Sequence, residues 1–137
     1  MDYTSFDKDR FDAFRDIDRK GPIQMLNLVK LRELAKYDDG HAMTGARAYA
    51  AYGRETAPIF QRLGGRIVWR GRMELMLIGP ELNWDLCFIA EYPSGQAFVD
   101  MISDPEYRAA MVHRQAAVQD SRLIRLEPQD VGGNFGK

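Results

Sequence analysis

The residues of this 137-residue chain with the clearest chemical potential are the adjacent pair His113 and Arg114. Tyr107, Met111, Arg114 and Val118 recur at spacings of four, three and four, which puts them on one stripe of a helix. A guanidinium in an otherwise apolar row can anchor a ligand carboxylate or enolate through paired N–H bonds. The same spacing also fits an arginine whose stem packs while its head reaches water or a carboxylate such as Glu91. His113 stands at the edge of that face, beside the small residues Ala110 and Ala117. It is a candidate general acid or base near neutral pH, or a helix-edge imidazole bonded to water.

Asn27 interrupts an apolar run at mid-strand, where a buried amide must find partners. It is a candidate for polarising a ligand oxygen, or a structural amide bonded to a neighbouring loop. Tyr49, Tyr52 and Trp69 are candidates for an aromatic slot, and their spacing equally suits plain core packing. His41 lies in a long polar stretch, either exposed or carried on a closing loop.

Composition removes other chemistries. Two histidines 72 residues apart and a single cysteine make no metal-ligand cluster, so no metal and no cofactor is expected. Gly64-Gly65 follows a helix pattern rather than a strand, so no phosphate loop is present, and no serine sits in a nucleophile elbow. Fourteen arginines and five lysines are scattered among acids, with a net charge of −1, which disfavours nucleic acid and anionic membrane as partners. The longest apolar run, Leu86 to Ala90, is far short of the ~20 residues that span a bilayer. Cys87 lies inside that run and reads as a buried, unreactive thiol. No basic start precedes an apolar stretch, so a cytoplasmic setting is expected.

The elements that must position these side chains follow from periodicity. Residues 5–18 suit a short amphipathic helix ended by Gly21-Pro22. Residues 23–30 read as a strand and 31–43 as a polar stretch ending in a loop. Thr44 caps a helix that Pro58 should kink or divide and Gly64-Gly65 stop. Residues 66–78 read as one long strand bent at Gly71, and residues 86–92 as the next strand. A short helix opens at Pro93-Ser94. Ser103-Asp104-Pro105 starts another that runs to about residue 120, and residues 122–127 close as a strand.

The order within 23–128 is strand–helix–strand–strand–helix–strand, the split βαβ arrangement: an α+β, ferredoxin-like fold with a four-stranded antiparallel sheet and helices on one face. Its first and third strands should be central. An N-terminal helical extension (1–22) precedes this domain and a flexible tail (129–137) follows it. The length suits one domain of roughly 7,300 Å² of folded surface.

An antiparallel sheet with one wet face should alternate apolar and polar residues, and these strands do not. Leu26 and Leu28 oppose Met25 and Val29; Cys87 and Ile89 oppose Leu86, Phe88 and Ala90. Either the N-terminal helix folds beneath the second face, or a second copy packs there sheet to sheet as a homodimer.

Tyr52-Gly53-Arg54, the run from Leu63 to Gly71, Tyr92-Pro93-Ser94, Ser103-Asp104-Pro105-Glu106-Tyr107 and Asp120-Ser121-Arg122-Leu123 resemble the bacterial family known as domain of unknown function 1330. The resemblance implies the dimeric α/β-barrel fold shared with small antibiotic-biosynthesis-type monooxygenases, and it implies no activity. The residues and the resemblance together suggest a homodimer with one small-molecule cleft per subunit. The ligand would be a small aromatic or acidic molecule, with cofactor-free proton transfer, isomerisation or oxygenation. His113 would move the proton, Arg114 hold the anion and Asn27 polarise an oxygen. The alternative is a non-catalytic ligand-binding or scaffolding homodimer.

Overall fold

The computed structural model describes residues 2–136; Met1 and Lys137, the outermost residues of the expected extension and tail, lie outside the described residues. The elements in chain order are α1 (Lys8–Asp16), β1 (Ile23–Leu31), α2 (Gly45–Arg62), β2 (Arg66–Gly71), β3 (Leu86–Tyr92), α3 (Gly95–Ser103), α4 (Pro105–Ala117) and β4 (Val118–Leu126). The strands form one antiparallel sheet in the order β2-β3-β1-β4, so the first and third strands are central as expected.

Each helix begins where a side-chain oxygen can take up a free N–H group. Asp7 caps α1 by accepting from the Arg10 N–H at 2.8 Å, and Thr44 caps α2 by accepting from Arg47 at 3.1 Å. Ser94 caps α3 and Asp104 caps α4, with proline at the first helical position. α2 passes through Pro58 without a break. Pro58 and Arg54 are both exposed, so water can satisfy the Arg54 carbonyl that the missing N–H leaves free. Gly64, with φ of 84°, reverses the chain after α2 in a backbone region that a side chain would strain.

Two boundaries differ from expectation. α4 stops at Ala117, and β4 starts at the next residue rather than at 122. The strand expected over 66–78 ends at Gly71, which pairs with Cys87 near the start of β3. Residues 72–78 therefore have no neighbouring strand to satisfy their backbone groups. Leu75, Leu77 and Ile78 stand 73%, 82% and 91% exposed.

The main core lies between the helices and one sheet face. Ile23, Met25, Ala90 and Tyr92 from the central strands meet Ile59 of α2, Phe98 and Met101 of α3, and Tyr107 of α4. α1 belongs to this side: Phe14 packs on Phe98 with ring centroids 4.8 Å apart, and Arg125 of β4 donates to the Phe14 carbonyl at 2.9 Å. α1 does not fold beneath the sheet, which removes the first of the two ways to cover its second face.

That second face carries a row crossing all four strands, Trp69–Ile89–Leu26–Ile124, beside a row containing Cys87 and Leu28. Trp69 is 50% and Ile124 45% exposed. Cys87 is half-buried rather than buried, and its partial burial still pushes the thiol pKa up. Both ends of the face are polar: at one, Arg66 and Gln24 donate to the Glu91 carboxylate and hold its pKa below the usual range, and at the other, Arg122 beside Leu28 donates to Asp120.

Candidate functional site

On the helix-facing side, a cleft of about 1270 Å³ opens between the sheet, α2, α4 and the N-terminal segment. Its floor is the cross-strand row Arg70–Phe88–Asn27–Leu123. The Arg70 guanidinium lies 5.0 Å from the Phe88 ring centroid, a cation–π contact. Asn27 donates to the Met25 carbonyl on its own strand at 3.1 Å, leaving the amide oxygen free to accept.

The roof comes from Tyr49, Tyr52 and Thr56 of α2 and from Tyr107, Met111 and Arg114 of α4. The Tyr52 and Tyr107 hydroxyls are in direct hydrogen-bond contact. Burial, followed by the neighbouring Tyr107, pushes the Tyr52 hydroxyl well above its ordinary pKa, and burial pushes Tyr107 up to about 12. Tyr49 is also raised by burial, against the opposing pull of Arg114 and Arg70. These phenols are therefore neutral at physiological pH and act as hydrogen-bond donors.

Residues 3–7 form the front wall. The Tyr3 N–H donates to Asp120 at 2.8 Å, Ser121 donates to the Tyr3 carbonyl at 2.7 Å, and Arg114 donates to the Thr4 carbonyl at 2.7 Å. Arg122 adds a stack on the Tyr3 ring at 4.8 Å. Arg114 thus meets a backbone carbonyl; Glu91, the carboxylate weighed for it from the sequence, is bonded to Arg66 and Gln24.

The cleft is rich in cations. Arg10, Arg66, Arg70, Arg114, Arg122 and Arg125 line it, Arg66 and Arg122 from strand positions of the far sheet face, with Asp7 as the lone carboxylate among its lining residues. Arg66 pairs with Glu91 and Arg122 with Asp120, whereas Arg10, Arg70, Arg114 and Arg125 pair with no carboxylate among the described residues, Arg125 being bonded to the Phe14 carbonyl.

The structure gathers Arg114, Asn27, Tyr49 and Tyr52 into this one cleft and puts the other three candidates elsewhere. Trp69 lies on the opposite sheet face because β2 bulges between Ile67 and Trp69. The extra residue sends the indole out and turns Arg70 in. Arg70 is the cleft residue that the sequence reading missed, and a β-branched pair before Trp69 gave no sign of the bulge.

His113 points between α2 and the loop of residues 32–44. Its Nε2 lies 2.9 Å from a Glu55 carboxylate oxygen and its Nδ1 2.7 Å from the Tyr37 hydroxyl. A carboxylate only accepts, so the neutral ring carries its proton on Nε2 and accepts from Tyr37 at Nδ1. His41 stacks on the other side of Tyr37 at 4.1 Å and bonds Asp39 at 2.5 Å. The two histidines thus form a loop clamp. His113→Ala is expected to cost about 1–2 kcal/mol through two lost bonds. It should also speed amide exchange around Tyr37, which hydrogen-exchange mass spectrometry would read.

No helix among the described residues is long and apolar enough to cross a membrane. Among proteins with curated functions, none matches the sequence. The crystal structure of RPA0582, a protein of unknown function from Rhodopseudomonas palustris, is 60% identical with a TM-score of 0.92, over 95% of this chain and 99% of that one. A dimeric protein of unknown function with a ferredoxin-like fold from Bacteroides fragilis aligns at 15% identity and a TM-score of 0.50, over 77% of this chain and 95% of that one. SnoaB, a cofactor-independent oxygenase from Streptomyces nogalater, aligns at 14% identity and a TM-score of 0.54, over 81% of this chain and 96% of that one. The two distant likenesses establish the ferredoxin-like architecture alone. Residues 41–126, from the end of the long loop to the last residue of β4, match the domain of unknown function DUF1330, and the chain belongs to that family.

Proposed function

We propose that this protein is a homodimer that binds a small aromatic or acidic organic molecule in the cleft of each subunit. The observation that carries the ligand reading is Arg114: a guanidinium without a carboxylate partner, set among tyrosine hydroxyls and apolar walls. Arg114 holds the anion, Asn27 offers its amide oxygen, and Tyr49 and Tyr52 line the aromatic slot. His113 stands outside the cleft lining, which supplies no imidazole and only the helix-capping Asp7 as a carboxylate. Any chemistry here therefore runs through an anion that the ligand itself provides, stabilised by Arg114 and neutral phenols, without a protein base. Cofactor-free isomerisation or oxygenation of an ionised substrate fits these terms, and the oxygenase named among the distant structural neighbours is compatible with them.

The homodimer rests on the uncovered sheet face. Leaving Trp69, Ile89, Leu26 and Ile124 wet would forfeit roughly 1.5–3 kcal/mol each. The chain alone exposes 9520 Å², well above the roughly 7,300 Å² expected for a compact chain of this mass.

A thermal-shift screen of small aromatic carboxylates and phenols tests the ligand reading. Carboxylates are expected to raise the Tm of the wild type, and Arg114→Ala to remove the rise. No response across a broad set would leave the scaffolding homodimer as the function.

A further inference from the structure

Arg70 is the cation on the cleft floor, and its guanidinium has no hydrogen bond or ion pair among the described residues; it lies against the face of Phe88. It reaches the cleft from the edge strand β2, while Arg114 reaches it from α4, and Tyr49 lies within the field of both. No hydrogen bond among the described residues reaches the Tyr49 hydroxyl. The Thr4 carbonyl takes one N–H of Arg114 and fixes the direction of the guanidinium, leaving its remaining donors for a ligand.

We infer that the cleft selects planar organic anions and that Arg70 is a second specificity-determining residue, sharing the anionic group with Arg114 across the Tyr49 hydroxyl. This rests on the small-molecule reading above and narrows it to a charge class. Two guanidinium groups lining one cleft repel each other while it is empty, and an anion bound between them relieves that repulsion. A flat ring suits the space because Phe88 on the floor and the roof tyrosines line it with aromatic side chains. A neutral ligand would leave both cations uncompensated, which costs affinity for any compound lacking the charge.

The test pairs acids with their neutral isosteres, using 2-hydroxybenzoate against 2-hydroxybenzamide and benzoate against benzamide. Affinities are read by calorimetry at low and moderate salt. The acids are expected to bind and the amides to bind about tenfold or more weakly, with acid affinity falling as salt rises. Arg70→Gln is expected to weaken the acids about tenfold and leave the amides as they were. Arg70 is exposed, so this variant should fold as the wild type does. Arg70→Lys should recover part of the loss, because it keeps the charge but not the fork.

Amides binding as well as acids would overturn the charge selection while leaving a small-molecule cleft in place. Acids that bind Arg70→Gln as tightly as the wild type would overturn the role of Arg70 and leave Arg114 as the single anchor. No binding by any of the four compounds at millimolar concentration would overturn this inference, and the broader screen of carboxylates and phenols would then decide the ligand reading separately.

Discussion

Ile89→Asp is expected to halve the solution mass of this protein at micromolar concentration. Ile89 pairs with Leu26 on one side and Trp69 on the other, at the middle of the apolar row that crosses the far sheet face. In a sheet-to-sheet dimer that row meets its own symmetry copy, so one substitution places two carboxylates at the centre of a dry contact. Removing an ion from water without a partner costs several kcal/mol, and here the cost falls twice on one interface. Arg66 and Arg122, strand arginines of this face, are already bonded to Glu91 and Asp120. Light scattering should give two subunits for the wild type and one 15.7 kDa subunit for the variant. Circular dichroism should show the helices of the variant intact, because the helix-side core does not include Ile89. A wild type that already runs at the mass of one chain would remove the dimer.

A second large effect is expected at Asp120. The carboxylate is 3% exposed, and one of its oxygens accepts from the Tyr3 N–H at 2.8 Å, the Ser121 N–H at 2.9 Å and the Arg122 guanidinium at 2.7 Å. Burial alone would raise its pKa. The bonds from Tyr3, Arg122 and Ser121 outweigh that and hold it below the ordinary carboxylate range. Asp120→Ala leaves those donors unanswered at a buried position and is expected to cost about 3 kcal/mol. It also removes one of the ties that pin residues 3–5 across the cleft mouth. Urea unfolding would read the stability loss, and faster amide exchange at Tyr3 to Ser5 would read the released wall.

The same group sets the sign of an acid effect. A carboxylate with a lowered folded-state pKa contributes stability that is fully present above the unfolded value of about 3.9. That contribution is lost as pH falls through the folded value beneath it. The wild type should therefore lose stability below about pH 4 more steeply than Asp120→Asn, which has no proton to take up there. Equal acid sensitivity in the two proteins would show that Asp120 is not the group behind the acid loss.

Much of the fold was legible because its signals are local. Thr44, Ser94 and Asp104 cap helices where the sequence places them, and Gly64 ends α2 as expected. Strands 23–31 and 86–92 carry apolar residues on both faces, and they are the central pair of the sheet. Tyr107, Met111 and Arg114 of the expected stripe line the cleft from α4, since helical spacing fixes a face whatever packs on it, while Val118 falls in β4. The candidate site was legible only in part. His113 is next to Arg114 in sequence, yet adjacent residues lie about 100° apart around a helix. One faces the cleft and the other meets Glu55 and Tyr37, from segments distant in the chain.

Residue order alone determined the element sequence, the central strands and the greasiness of the second sheet face, because periodicity and capping act within a few residues. Tertiary structure decided which side of β2 faces the cleft, where β2 ends, and which cations lack acids. The bulge between Ile67 and Trp69 exchanged a tryptophan for Arg70, and a strand's facing depends on its register with β3 rather than on its own residues. The free charge of Arg114 has the same origin: Arg66 and Gln24 hold Glu91 on the other face of the sheet, and a carbonyl from the far end of the chain meets the guanidinium instead.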